Sequence, residues 1–503
     1  MARHVRLMGL LTSMATLAVS LLYNIAITRK LHIEELGLLT LLNASTAFSL
    51  LPNAVLSFAL PRIAARDGGL NVRAALASST AFFAGSAALT IVYLAATWGK
   101  MGVYAPLVLS VALATELVTY LSSVAASILM VRDRGRFVFS NLLQAVSKLV
   151  AIGAISLLRW SIEAVLWSSV AITAVPALYG FFYSLRYQAP GSLRRYLREI
   201  ANASWVPLMG FAVNSFRALD ATIMGLLGAL NQLGLWYLFF ILSKPYSFST
   251  LLSNITYGEL LSGRKGGLYK DFLMVLALST SLSLSYVFFE PVFINFLRPG
   301  EPQYAAPLLA PLAIWAAANV LGNVNMFISN VMQGVDKRDI QGGEIRARAY
   351  LGSLVFYTHA AELVFTAVYL GSIVPLVELA KMLGAEYYAI AGVVAASLLA
   401  NIAALAFRAL SSGRSALGFI TLGSLVQDYA VPLALSLLAL YFVSSALRLP
   451  LVPSALFSLG EIILAVIVAS GVYIGASLAL SKTFRELTLA VARNLFTILS
   501  NIR

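Results

Sequence analysis

Apolar runs of about 20–28 residues, each long enough to cross a bilayer, recur from one end of this sequence to the other, and they leave few folds open. A hydrocarbon core near 30 Å is crossed by about 20 helical residues. Transmembrane strands would alternate lipid-facing and lumen-facing residues over about ten positions, and these runs do not alternate. Of the 503 residues, 60% are hydrophobic and 11% charged. A soluble domain carries about 25% charged residues, so lipid must cover most of the exterior. The expectation is an all-α polytopic membrane protein with about fourteen spans. They are placed at 7–28, 36–61, 74–97, 103–131, 137–158, 162–187, 204–230, 233–261, 270–297, 304–334, 349–375, 387–411, 425–447 and 455–481. The first run follows Arg3 and Arg6 but is too long for a signal peptide and lacks a cleavage site, so it reads as a span.

Charge then orients the chain. Twenty-five of the 35 Lys and Arg fall on one side of these spans, in clusters such as Arg132, Arg134 and Arg136, or Arg194, Arg195 and Arg198, with Arg408 and Arg414 counted among them. Seven (Arg29, Lys30, Lys100, Arg159, Arg298, Lys381 and Arg448) fall on the other. Basic loops stay cytoplasmic, so both termini are expected inside the cell membrane. The net charge of +14 lies in short loops rather than on one face, which argues against a nucleic-acid partner. There is no cysteine, and His4, His32 and His359 have no zinc spacing. No Walker loop and no Asp-x-Asp pattern occurs. Neither a cofactor, a metal nor nucleotide hydrolysis is expected. The Asn-x-Ser/Thr triplets at Asn43, Asn202 and Asn254 fall in spans or at the inner face and read as accidental.

Shifting the chain by 197 residues lays LHIEELGLLTLL (31–42) on GALNQLGLWYLF (228–239), so that Leu36-Gly37-Leu38 coincides with Leu233-Gly234-Leu235. Near an offset of 200, VYAPLVL (103–109) resembles QYAAPLL (303–309). Six spans separate the copies, so both have the same orientation, and parallel repeats imply two bundles about an axis along the membrane normal. The expected organisation is an N-lobe (1–187), a cytoplasmic linker (188–203), a C-lobe (204–411), two added helices (412–481) and an amphipathic tail (482–503). The linker's SLRRYLREI stretch fits either a helix at anionic headgroups or a solvated connection.

Some of these residues carry a resemblance. A short turn, then Leu-Gly-Leu opening the second span, then a polar helix ending in Pro61 and Arg62 resembles the start of polysaccharide and oligosaccharide flippases. So does ALDATIMGLLGALNQLGLWYLFFILSKPYSF (218–248), and RPGEPQYAAPLLAPLAIW (298–315) looks like that group's tenth helix. These belong to the multidrug/oligosaccharidyl-lipid/polysaccharide exporter superfamily, and the resemblance covers about residues 7–411. It implies two six-helix lobes, alternating access, and a cationic cavity for a lipid phosphate and glycan.

A charge at mid-bilayer costs about 2.5–3.5 kcal/mol on insertion scales, so Arg217, Asp220 and Lys244 must face protein or water. At 1.5 Å per residue, Arg217 and Lys244 lie roughly 16–20 Å from the expected outer ends of their helices. Asn214, Arg217 and Asp220 share one helix face. They read either as an Arg217–Asp220 pair satisfying itself or as a phosphate subsite of Arg217 and Lys244 in which Asp220 orients the guanidinium. Lys148 and Glu116 read as a lobe-stabilising pair, or Lys148 lines the cavity. His359 and Glu362 share a face and either couple transport to protons or pack as a hydrogen-bonded pair. Pro52, Pro61, Pro176, Pro245 and Pro311 are bending points or static kinks. Tyr23, Asn24, Asn53, Tyr237, Tyr246, Asn319, Asn323 and Asn325 serve a sugar-lined path or helix–helix hydrogen bonding. The reading that absorbs most of these features is a monomeric, non-enzymatic transporter that carries a lipid-linked oligosaccharide between leaflets, with H+ or Na+ as coupling ion and membrane lipids as its surroundings. An ion-coupled multidrug antiporter would favour an acidic cavity, whereas this one leans basic. A membrane glycosyltransferase, kept open by Glu34 and Glu35, would need larger external loops.

Overall fold

In the computed structural model of the chain, the described residues are 16 and 18–489, apart from 68, 159, 191, 204–215, 229, 247–248, 250–251, 254–255, 258–259, 261–266, 337–351 and 448. They are overwhelmingly helical. Residues 18–30 are helical. There follow α1 (Ile33–Ser49), α2 (Leu51–Asp67), α3 (Val72–Met101), α4 (Ala105–Arg132), α5 (Arg134–Leu158), α6 (Ile162–Ser184), α7 (Leu193–Ala203), α8 (Leu219–Leu227) and α9 (Leu230–Ser243). After them come α10 (Leu268–Phe288), α11 (Glu290–Leu297), α12 (Ala305–Val335), α13 (Leu354–Met382), α14 (Tyr388–Leu417), α15 (Val431–Ala446) and α16 (Ala455–Leu480). Polar caps start several of them. The Asn71 side chain accepts from the Ala74 N–H at 3.0 Å ahead of α3, and Ser353 accepts from the Phe356 N–H at 3.0 Å ahead of α13, each satisfying a donor that the first turn cannot.

Among the described residues, nine segments are long and apolar enough to cross a membrane, or ten if the bent pair Ile33–Ser49 and Leu51–Pro61 counts as one. One of the nine, Val72–Arg132, contains α3 and α4, joined through a 3-10 turn at Gly102–Tyr104. Gly102 has φ +53° there, a left-handed value that favours glycine. The expected spans at 7–28, 204–230 and 233–261 fall partly outside the described residues. Three expected spans are interrupted. Span 36–61 bends where α1 gives way to α2, just ahead of Pro52, whose ring cannot accept the carbonyl of the preceding turn. Span 233–261 leaves the α-helix at Ser243 and makes a 3-10 turn over Lys244–Tyr246 around Pro245. Span 270–297 divides at Phe289 into α10 and α11.

Two compact units result, Met1–Ile241 and Leu242–Arg503. The first is built on Val55, Leu56, Leu60, Ile63, Val72, Tyr120, Val124 and Ile128, with Tyr196 and Ile200 of α7 in the same core. The division differs from the linker at 188–203 because α8 and the start of α9 pack with the first unit: α8 lies against α1 and α3. The linker helix α7 packs one face on the first unit. Tyr196 is 0% and Ile200 1% exposed, and the Asn71 N–H donates to the Tyr196 hydroxyl at 2.7 Å. Arg195 pairs with Asp67 at 3.0 Å, and Leu70 exchanges backbone bonds with Tyr187 and Ala189. Arg194 and Arg198 stay exposed.

The second unit gathers Leu260, Phe272, Leu276, Phe327, Ile328, Val331 and Met332, with Phe272, Phe327 and Phe419 in mutual ring contact. Helices α15 and α16 pack on each other, and α16 packs on α10 and α11, so the added helices are integral to this unit. The tail begins as helix over 482–489, capped by Ser481, whose hydroxyl accepts the Phe484 N–H at 2.9 Å and donates to Asp428 at 2.6 Å. Phe484 and Leu487 are buried. The remainder of the expected tail lies outside the described residues.

Candidate functional site

In the first unit, the two copies of Leu-Gly-Leu meet. A Cβ on Gly37 would collide with the carbonyl of Leu230, and one on Gly234 would collide with the carbonyl of Ile33. The same 197-residue shift carries Ile33 onto Leu230 and Gly37 onto Gly234, so the contact is reciprocal, as a two-fold relation requires. Thr40 adds a bond from its hydroxyl to the Leu233 carbonyl at 3.1 Å. Only glycine lets the α1 and α9 backbones approach this closely.

Arg217 and Asp220 sit at the start of α8, both half-buried. The Tyr93 hydroxyl of α3 donates to the Ala218 carbonyl at 2.8 Å, and Phe48 packs against both Tyr93 and Phe216. The Asp220 carboxylate accepts from the Ala221 N–H at 2.5 Å. This anchors the segment on α1 and α3. Asn214 lies outside the described residues.

Lys148 and Glu116 do not pair. Lys148 on α5 donates to the Ser20 hydroxyl at 2.6 Å. Glu116, 0% exposed on α4, takes the hydroxyls of Ser49 and Thr90 on one carboxylate oxygen. Ser86 extends the cluster, donating to the Ser49 carbonyl at 2.6 Å and sharing a 2.7 Å bond with the Tyr120 hydroxyl. The reason is a buried polar stripe on α3, in which Ser79, Ser86, Thr90, Tyr93 and Thr97 recur at helical spacing and from which Ser86 and Thr90 present hydroxyls to α4. That stripe is legible in the sequence once α3 is read as helix.

In the second unit, Lys244 is half-buried in the 3-10 turn. Next to it Tyr246 bonds Ser283 at 2.6 Å and packs edge-on against Trp315. Glu362 and His359 stand one turn apart on α13, both half-buried, but the cation that meets the Glu362 carboxylate is Arg408 of α14. Arg408 is 1% exposed and not a loop residue. Its guanidinium also donates to Asn325 at 2.6 Å, and Asn325 donates to the Asn401 carbonyl at 2.9 Å. Three helices, α12, α13 and α14, are thereby tied at one polar node. Counting by span ends placed Arg408 at the inner face; its helix continues past it to Leu417 and turns it inward.

The polar residues expected to line a sugar path are largely used between or along helices. Tyr23 bonds Ser168 at 2.7 Å, Tyr237 donates to Asn24 at 3.1 Å, Asn323 donates to Ser279 at 2.7 Å, and Asn319 donates to the Trp315 carbonyl at 2.9 Å. Helix association in a bilayer relies on such bonds.

No family model and no curated protein matches the chain. Solved structures do. The lipid II flippase MurJ in an inward closed conformation is similar at a TM-score of 0.66 with 12% identity, covering 93% of this chain and 99% of that one. This chain shares the fold of that structure. An inward-facing multidrug resistance MATE family transporter of the MOP superfamily is similar at a TM-score of 0.53 with 16% identity, covering 79% of this chain and 94% of that one. A MATE structure in complex with MaL6 gives 0.50 at 16% identity, covering 81% and 96%. The protein is a multi-pass membrane protein.

Proposed function

We propose that the chain flips a lipid-linked oligosaccharide from the cytoplasmic to the external leaflet of the cell membrane by alternating access, as a monomer with both termini inside. The observation that carries this reading is the extent of the match to the lipid II flippase. At 93% coverage it leaves too few residues unmatched to omit α15 and α16, 16 and 26 residues long. The MATE match spans 79%. The match to the flippase therefore reaches into the helices added after the repeat.

Cations in the spans support an anionic substrate. Arg217 in the first unit is assigned to the lipid phosphate, where its guanidinium can fork onto two oxygens, with Asp220 orienting it and Asn214 assigned to the same subsite. Lys148 lines the first unit's share of the path. Lys244 of the second unit is assigned its own contact with the headgroup, as a point charge. Proton coupling through His359 and Glu362 is part of the proposal. Arg408 already balances the Glu362 charge, which leaves His359 to take up the proton.

Replacing Arg217 or Lys244 by Ala and following surface-glycan export in cells tests the assignment. Export is expected to fall at least tenfold at unchanged protein level; normal export at that level removes the phosphate contact. Buried Glu116 favours a second reading, an ion-coupled antiporter of cationic drugs. On that reading, drug efflux rather than glycan export depends on the protein.

A further inference from the structure

A cavity of about 80 Å³ opens between α4, α5 and α6 in the first unit, lined by Ser122, Ser140, Asn141, Gln144 and Thr173, with Gly180 where α4 and α6 close on each other. Asn141 and Gln144 stand 7 and 10 residues into α5. That is about 10–15 Å along the helix, within the thickness of a hydrocarbon core of about 30 Å.

The side chains of Ser122, Asn141 and Gln144 make no hydrogen bond to any other described residue. A carboxamide in hydrocarbon without a partner costs several kcal/mol, so this notch takes a polar guest or water. No ionisable side chain lines it. The cations flanking it along α5 are both engaged: Arg136 pairs with Asp133 at 3.3 Å and lies 4.1 Å above the Tyr183 ring, and Lys148, one turn beyond Gln144, donates to the Ser20 hydroxyl at 2.6 Å. The lining thus combines two carboxamides, each able to donate and accept, with hydroxyls and with the Phe137 ring. It offers nothing to neutralise a phosphate and no carboxylate for a cationic drug.

We infer that the notch of Ser122, Asn141 and Gln144 binds an uncharged sugar residue, and this deepens the flippase reading on which it rests. The room suits a handful of waters or one edge of a sugar ring. The carboxamides take the ring hydroxyls, and the Phe137 ring meets its C–H face.

The test uses full-length protein in nanodiscs, with N-acetylglucosamine and, separately, inorganic phosphate as probes, read by saturation-transfer NMR. The wild type is expected to show sugar contacts. Asn141→Leu and Gln144→Leu, which keep volume and remove the amide, are expected to weaken them at least tenfold and to leave the phosphate signal unchanged. If the leucine variants fail to fold, Ser122→Ala removes one hydroxyl without adding bulk and is expected to weaken sugar contact severalfold. Absence of sugar contacts in the wild type, or equal contacts in every variant, overturns the inference. Flipping of a lipid-linked oligosaccharide by wild-type proteoliposomes separates the two levels. Flipping without sugar contact at the notch removes the notch alone, and sugar contact without flipping removes the transport reading.

Discussion

Arg408 shows how much one side chain can hold in a membrane bundle. Its guanidinium joins Glu362 and Asn325 while 1% exposed. Removing one partner of a buried ion pair strands the other charge and costs about 3–5 kcal/mol. Arg408→Ala is therefore expected to lower the thermal midpoint in detergent markedly. Adding Glu362→Ala is expected to recover part of the loss, because the two residues share one interaction. Strictly additive losses would show that the pair is not coupled. Glu116 makes a complementary point. Its buried position was plain from the apolar run around it, but its partners were not, since a span boundary says nothing about which helix face a residue occupies. The Ser86, Thr90 and Tyr93 stripe held that information at helical spacing. Arg408 was misplaced for the same reason: a residue near the expected end of a span looks solvated until the helix is seen to continue past it.

At the level of elements, the Leu-Gly-Leu repeat was legible because its requirement is local. Two helices that cross at backbone contact need glycine at the crossing, and Gly37 and Gly234 occupy matching positions in the reciprocal contact. Gly234→Val is expected to lower the thermal midpoint by several degrees, since the added atoms meet the Ile33 backbone and cannot rotate away. Gly85→Val in the same unit, where a Cβ meets nothing within 4 Å, is expected to change it little. Equal effects would remove the close crossing from the account. Breaks in helices were less legible. Pro52 and Pro245 were candidate bending points and mark real interruptions; the break at Phe289 has the same cause in Pro291, in the first turn of α11, which was not singled out as a bending point. Helix α7 illustrates a third case. Its basic residues suggested a headgroup surface, yet Tyr196 and Ile200, four apart, bury against the first unit and fix it there.

Over the whole molecule, hydrophobic run length gave the all-α membrane class, because a bilayer imposes one length on every span, and the 197-residue shift gave the internal symmetry. The compact division at Ile241 was not legible, since it depends on α8 and the start of α9 packing with α1 and α3 rather than on covalent order. Substrate class rests on the flippase-like extent of the fold and on cations within the spans. Purified protein in proteoliposomes decides it, with a fluorescent polyprenyl-pyrophosphate oligosaccharide in one assay and a lipophilic cationic dye in the other. Transfer of the glycolipid between leaflets, lost on Arg217→Ala, with no accumulation of the dye, is the expected result; dye transport without glycolipid transfer would contradict it.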